Sequence, residues 1–403
     1  MAPQILLPLR ARFSPGSLRA AKAIGIVEMG GLGSVLRTTA VSRALRGSSN
    51  ADVYWFTHAR GSELLRYVPG VRPIDVETNP PPMDLVEQLD ATLNFEQNGI
   101  AKAIVACSNS VGGFDLNPQA RFKPASEHAR YMQRMQIDNA ARRNNRKTMQ
   151  EVLLESVGLN DYSPRYDLGV PHDHRDRSRE LLHGLASRGR YEHLIALNIG
   201  TSRRGELKRW PPQLWVRLAT RLADRYHRRT VLLLSGPEDA DIREEVARRL
   251  RGNPRNNLAM APENMSIGDF LSVVDKADVM VTGDTFAMHA ARALRVPTIV
   301  LAGPMPAGEL EVGKRDRLIG PKLPCAPCYY HCNQTPIGAC MQSVSPRDVL
   351  GVVNEILPDL PRRKRSFDRT VVTNNALPSP TYGRQLVAVR RRHSHRRPST
   401  GVR

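Results

Sequence analysis

Three short segments and one cysteine cluster bring together side chains able to bind anions, move protons or hold a metal. Cys325, Cys328, Cys332 and Cys340 form a C-x2-C-x3-C-x7-C series within 16 residues, while Cys107 stands apart. Four thiolates at such spacing suit a tetrahedral metal site, with zinc as the default ion and iron equally compatible with sulfur. Disulfides or free thiols are the alternative. The segment Asn198–Pro211 (NIGTSRRGELKRWP) offers Thr201, Ser202 and Lys208, hydroxyls and a point charge suited to a diphosphate. A solvated basic loop pinned by a packed Trp210 would look the same. In Gly283-Asp284-Thr285 an acid and a hydroxyl stand where a strand meets a helix, as caps or as ligands of a phosphate or sugar hydroxyl. His289 follows Thr285 by four residues on the same helix face, as a packed residue or a catalyst. Gly30-Gly31-Leu32-Gly33-Ser34 lets backbone approach a ligand closely, although it is not the dinucleotide fingerprint and a tight turn would suffice.

These residues need elements to position them. Ala23–Val27 reads as a strand running into the glycine loop, with helical spacing of Val35, Leu36, Val41, Ala44 and Leu45 beyond it. Val53–Thr57 and Ile104–Cys107 are expected as strands, and Thr148–Val157 as an amphipathic helix ended by Gly158. His172–Arg190 is read as a helix leading into a second half, where the pattern restarts. Strands are expected at Leu194–Asn198, Thr230–Leu234, Val279–Thr282 and Thr298–Leu301. Helices are expected at Leu214–Tyr226, Asp239–Leu250 and Thr285–Leu294. Alternation of this kind indicates an α/β fold with parallel sheets, and two Rossmann-like halves would hold ligands in the cleft between them.

Composition narrows the classes. The chain of 403 residues is long enough for two cored domains, and no apolar run reaches the length of a membrane-spanning helix. Of the net charge of +20, residues 361–403 supply +11, with 12 Lys or Arg against Asp368 alone. The rest carries 47 basic and 38 acidic groups, which suits anionic ligands. The tail, rich in Pro, Ser and Asn, reads as disordered, and its runs Arg362–Arg365 and Arg390–Arg392 would be drawn to an anionic membrane surface. No acidic residue precedes Glu28, yet Ile5–Leu9 is too short for a secretory core. The expected organisation is a flexible extension at 1–22, one Rossmann-like domain at 23–185, a second at 186–358 with the cysteine loop at 325–340, and a basic tail at 359–403. The expected compartment is the cytoplasm, peripherally at the inner face of the membrane.

In this order the segments resemble the heptosyltransferase family, glycosyltransferase family 9. The likeness runs from about Ala23 to Leu357 through IVEMGGLGSVLRTTAVSRAL, LNIGTSRRGELKRWPPQLWVRLA, LLLSGPEDADI, MSIGDFLSVVDKADVMVTGDTFAMHAARALRVPTIVLAGP and LPCAPCYYHC…CMQSVSPRDVL. The resemblance implies a GT-B fold and inverting transfer of a heptose-like sugar from a nucleotide-diphosphate donor, without a catalytic metal. It assigns the donor to the C-terminal half and a glycan, lipopolysaccharide-type or protein acceptor to the other. Thr201, Ser202 and Lys208 match the family's phosphate-contacting block. Met265 and Ser266 match the segment lining the base, and Glu238 an acidic ribose contact. Asp284, Thr285 and His289 match D-[ST]-x-x-x-H beside the donor phosphates and sugar. Cysteine clusters of this kind occur in some relatives, which supports a structural zinc or iron.

The chain departs from the family pattern at two places. Ser34 stands where the glycine loop usually carries the Asp taken as general base, and Glu28 where the motif opens with a basic residue. Phe286 stands where many members have Gly. Glu28 is therefore the candidate replacement base, against the reading that it is a strand-end surface residue of a weak or inactive transferase. Two other functions compete with active transfer: a GT-B nucleotide-sugar or glycan-binding protein without catalysis, and a zinc-knuckle nucleic-acid binder. The last would interleave stacking aromatics with basic residues. Only Tyr329 and Tyr330 in the cysteine loop and Phe367 and Tyr382 in the tail are available, so nucleic acid ranks last.

Overall fold

The computed structural model describes residues 13–170, 172–185, 193–201, 203–252 and 255–357. Residues 1–12 of the expected extension, 186–190 of the expected helix His172–Arg190, Ser202 and the expected tail 359–403 lie outside the described residues. Both sheets belong to one compact unit.

The first sheet contains β1 (Ala23–Val27), β2 (Asp52–Thr57), β3 (Val71–Asp75), β4 (Ala91–Asn94), β5 (Val111–Leu116) and β6 (Phe122–Pro124). Their spatial order is β3-β2-β1-β4-β5-β6, parallel except for the antiparallel β6. The second sheet contains β7 (Leu194–Asn198), β8 (Thr230–Leu234), β9 (Leu258–Met260), β10 (Val279–Gly283), β11 (Thr298–Leu301) and β12 (Arg317–Ile319). It runs β12-β11-β10-β7-β8-β9, with every pairing parallel. Each half therefore repeats one doubly wound order. The chain reverses its direction of winding between β1 and β4, and again between β7 and β10, and ligands of such sheets sit outside the strand ends at that switch point.

Continuous apolar runs form these strands because parallel sheets are covered on both faces. Every residue of β7, β8, β10 and β11 is buried. The helix Met149–Ser156 starts at a capping box between Thr148 and Glu151. One expected strand is corrected: Ile104–Cys107 is the end of the helix Gly99–Cys107, which Asn98 caps by accepting from the Ala101 amide. Ala101, Ile104 and Val105 are its buried face, and four apolar residues do not by themselves distinguish a strand from a helical turn. The strands of that region are β4 and β5. Residues 13–22, expected within a flexible extension, instead pack on the first half: Leu18 is buried in its core, and the Phe13 ring lies against Gly112.

The halves meet through side chains of both. Ile267, Leu271 and Ala290 of the second half join the core of the first, and the helix Leu32–Ser48 packs on the helix Phe286–Ala293. Among the described residues no helix is long and apolar enough to cross a membrane.

Candidate functional site

A cleft of about 460 Å3 opens where the carboxyl ends of the two sheets face each other, within the size range of small-molecule sites. Its first-half wall is the loop Gly31–Ser34 with His58 and Arg60. Its second-half wall holds Thr201, Lys208, Glu238, Met265, Ser266, Asp284 and Thr285, all expected from the sequence.

The second-half wall is built from loops that leave β7 and β10. Asn198 ends β7 and donates from Nδ2 to the Gly200 carbonyl (3.0 Å), Thr282 Oγ1 (3.2 Å) and Thr285 Oγ1 (3.3 Å), tying the two strand ends together. Asp239 fixes the next step by accepting from the Thr201 and Gly236 amides at 2.8 and 2.9 Å. Trp210 anchors the far end of the loop. It is buried, donates to the Val344 carbonyl at 3.1 Å and meets Trp215 edge to face at 4.7 Å. Between these anchors Lys208 donates to Asp284 Oδ2 at 2.5 Å and to the Asp284 carbonyl at 3.3 Å. Burial alone would raise the Asp284 carboxyl, but the charge and hydrogen bond of Lys208, with Arg37 behind it, outweigh it and hold the carboxyl below its ordinary range. Burial likewise works against the Lys208 charge, and Asp284 more than restores it. Thr285 takes the N-cap position of the helix Phe286–Ala293 without capping it through its side chain. That helix end therefore offers backbone donors and the positive end of its dipole to the cleft.

Two further walls meet there. Ser266 caps the helix Ile267–Asp275, accepting from the Asp269 amide at 3.1 Å, and Met265 lies beside it. Phe286, the residue that departs from the family pattern, lines the cleft against Phe270 with ring centroids 5.6 Å apart. Glu238 is exposed on the rim.

The first half presents a different chemistry. Glu28 is only 7% exposed, so it is not a strand-end surface residue. Its Oε1 accepts from the Gly30 amide at 2.8 Å, and Thr38 Oγ1 lies 3.4 Å from Oε2. Glu96, just beyond β4, accepts the Met29 amide at 2.8 Å and reaches Glu28 as a hydrogen-bonding neighbour. Burial and then the Glu96 charge push the Glu28 carboxyl up to about 8. Ser34 lines the cleft, whereas Glu28 sits beneath the loop: a side chain begun at Gly30 would lie 2.7 Å from Glu28 Oε1 and 3.3 Å from Ser34 Oγ. His58 holds this loop from outside. Its Nδ1 accepts the Gly61 amide, so its Nε2 proton goes to the Gly30 carbonyl at 2.9 Å.

His289 is placed at the seam between the halves and does not line the cleft. Arg37 can only donate, so His289 Nε2 accepts from it at 3.4 Å, and the ring proton at Nδ1 goes to the Tyr166 hydroxyl at 2.7 Å. Tyr166 donates in turn to Glu311 Oε2 at 3.1 Å, and Glu311 pairs with Arg37 at 3.0 Å, closing a ring of four side chains across the interface. Burial and the Arg37 charge depress the imidazole well below its ordinary range, so it is neutral.

Sequence reasoning missed Glu96, Arg37, Tyr166, Glu311 and Tyr330. The first would follow from the strand order, since β1 and β4 flank the switch point. Arg37, Tyr166 and Glu311 depend on contacts between the halves, and Tyr330 on how the cysteine loop folds back onto the cleft, for which one sequence carries no signal. The four cysteines share a loop but do not assemble the expected ligand set: among the described residues no three His, Cys, Asp or Glu side chains are arranged to hold a metal. All are free thiols. Burial, with Cys332 and Cys325 nearby, raises the Cys328 thiol, while amides of Gly338 and Gln334 lower that of Cys332.

Two parallel doubly wound sheets facing across one cleft constitute a GT-B fold. The chain belongs to glycosyltransferase family 9 (heptosyltransferase), whose family model matches residues 119–336. It is 35% identical over 122 residues to lipopolysaccharide heptosyltransferase 1 of Pseudomonas aeruginosa, a match covering 30% of this chain and 32% of that protein. The chain therefore aligns with about a third of the curated relative. In structure it is similar to ADP-heptose lipopolysaccharide heptosyltransferase II of E. coli, with a TM-score of 0.61, 16% identity, and coverage of 83% of this chain and 98% of the other. It is also similar to the iron-containing dodecameric heptosyltransferase TibC of enterotoxigenic E. coli, solved with ADP-D-beta-D-heptose, with a TM-score of 0.52, 10% identity, and coverage of 85% and 77%. At such identities these structures bear on the fold alone.

Proposed function

We propose that the chain transfers a heptose-like sugar, with inversion and without a catalytic metal, from a nucleotide-diphosphate donor to a glycan, lipopolysaccharide-type or protein acceptor. The observation that carries this reading is the convergence of Lys208, Asp284 and an uncapped helix N-terminus at the β7/β10 switch point. An ammonium and backbone donors aimed at one place suit a diphosphate leaving group. On this reading residues 186–358 hold the donor, with Thr201, Lys208 and Thr285 at the phosphates, and Asp284 keeping Lys208 charged. Met265, Ser266 and Glu238 take the nucleoside side, and Ser202 is assigned with Thr201. His289 acts by fixing the helix on which the phosphate site stands. Residues 23–185 present the acceptor from the glycine loop. As its hydroxyl oxygen bonds to the anomeric carbon, the bond to the diphosphate breaks with its electron pair, and the hydroxyl proton goes to Glu28 by way of the Ser34 hydroxyl.

Thermal-shift measurement with ADP-, GDP- and UDP-linked sugars tests the donor site, with stabilisation by at least one expected. No stabilisation by any of them sinks the reading. Ser34 favours a second reading, a protein that binds donor without turning it over. Donor binding without product release in single-turnover assays selects that one.

The four cysteines support a structural zinc or iron bound after rearrangement of their loop, as does the iron-containing relative. Purified protein should then carry about one ion per chain, as a tetrahedral thiolate site requires. Folded metal-free protein with four reactive thiols would rule it out. The tail from residue 359 is assigned to attachment at anionic lipid on the cytoplasmic side. Cosedimentation with phosphatidylserine vesicles should weaken with salt and vanish on truncation.

A further inference from the structure

The cysteine loop reaches the cleft through one side chain. Tyr329 and Tyr330 stand in the turn between Cys328 and Cys332, both in the left-handed backbone region with φ of 52° and 69°, which bulky residues rarely adopt. Successive left-handed residues send the two rings to different partners. Tyr329 is 4% exposed, lies 4.5 Å beneath the Arg142 guanidinium of the first half, and donates its amide to the Pro304 carbonyl at 2.9 Å. Arg142 is itself held by two 3.0 Å bonds to Glu309. Tyr330 is 38% exposed and lines the cleft, its ring centroid 5.6 Å from Lys208 Nζ. The turn is closed by the His331 amide on the Cys328 carbonyl at 2.9 Å, so Tyr330 is presented from a fixed frame.

The chemistry of the pair is directional. An ammonium has donors and no acceptor, so Lys208, which stands by the Tyr330 ring and donates to Asp284, cannot take the phenolic proton, and that proton is left for another acceptor. The position beside Lys208, on the open side of the cleft, is where a donor's phosphate oxygens would lie.

We propose that Tyr330 is a specificity residue for the nucleotide diphosphate, donating its phenolic proton to the distal phosphate from a position set by the Cys328–Cys332 turn. The proposal rests on the reading of the cleft as a donor site. It adds a contact from a loop otherwise assigned only a structural role.

Calorimetric titration of the full chain with ADP, GDP, AMP and GMP tests it, using Tyr330→Phe, Tyr330→Ala and Lys208→Gln variants whose circular dichroism matches the wild type. Tyr330→Phe should weaken the better-bound diphosphate about 10-fold, the usual cost of a hydrogen bond to a charged group. It should change the monophosphate less than about 2-fold, since the distal phosphate is missing. Tyr330→Ala should be at least as weak as Tyr330→Phe. Wild-type affinity of Tyr330→Phe alongside a loss in Lys208→Gln overturns the role of Tyr330 and leaves the donor cleft standing. If neither variant changes affinity, or the wild type binds none of the four nucleotides, the cleft reading falls and this inference with it.

Discussion

The two halves share one strand order and place opposite electrostatics at the equivalent point. At the β1/β4 switch the strand ends bring two carboxyls together, Glu28 and Glu96, beneath a glycine loop. At the β7/β10 switch they bring together an ammonium and a carboxylate, Lys208 and Asp284. Like charges in a buried site cannot both ionise freely, so the first pair stores a proton. Opposite charges compensate each other's burial, so the second keeps full charges where water is scarce. One topology thus supplies a site suited to proton transfer and a site suited to an anion, and the difference lies in which side chain follows each strand.

The strongest test of this contrast is Glu28→Gln. If the first switch point accepts the acceptor's proton, turnover should fall roughly 10²–10⁴-fold, as on losing a general base, with donor affinity intact. In the wild type kcat/KM should rise with pH through about 8, where the Glu28 carboxyl ionises. A second readout is stability. The folded protein keeps a proton on Glu28 that the unfolded chain releases near the ordinary value of 4.5. This contribution is complete below pH 4.5 and is lost as pH rises toward about 8. Melting temperature should accordingly fall with pH across that window in the wild type, and less in Glu28→Gln. A gain of activity in Ser34→Asp, with Glu28→Gln silent, would break the contrast and return the base to the loop.

Lys208→Ala probes the other pair. Loss of a charge-assisted contact should weaken nucleotide-diphosphate binding by about 1–3 kcal/mol. A lysine on a solvated loop would leave the free protein's melting temperature unchanged, but this one is paired, with side-chain exposures of 17% and 8% for Lys208 and Asp284. Its removal strands a buried carboxylate, so the melting temperature should fall as well. Differential scanning fluorimetry beside calorimetry separates the two effects. Unchanged values in both would show that the pair carries neither role.

The two switch points also differ in how far they can be read without coordinates. Lys208, Asp284, Thr285 and Met265 lie in local strand–loop–helix segments whose apolar runs are unambiguous, and β7, β8, β10 and β11 fall where those runs put them, while the three-residue edge strands β9 and β12 went unread. In the first half Ala91–Asn94 is short and polar at its end, and the neighbouring helix Gly99–Cys107 imitates a strand in its last four residues. Without β4 nothing brings Glu96 to Glu28, 68 residues earlier in the chain. The identity of Glu28 as an unusual residue was legible, but its burial was not, because burial depends on that pairing. The ring of Arg37, Tyr166, His289 and Glu311 was illegible for a similar reason: His289 stood out only by its motif, the other three are ordinary in their own segments, and only the packing of the halves unites them.

The smallest expected effect lies at that seam. Gly33 belongs to the glycine loop of the first half, and a methyl group there would stand 2.8 Å from His289 Cδ2 and 3.2 Å from Nε2 of the second. The nearest atoms belong to a buried ring whose two nitrogens are engaged by Tyr166 and Arg37, so it cannot swing aside without loosening both contacts. Gly33→Ala should therefore cost about 1–3 kcal/mol of stability, as overpacking of a dense site does. The same strain pushes on the helix Phe286–Ala293, whose N-terminus faces the donor site, so diphosphate affinity should decline while the pH profile governed by Glu28 keeps its midpoint. Denaturant unfolding, calorimetry and a pH–rate profile on this one variant would show whether the seam communicates with the anion site alone. A shifted midpoint would mean that the two switch points are mechanically joined, and the proton site could no longer be treated apart from the docking of the halves.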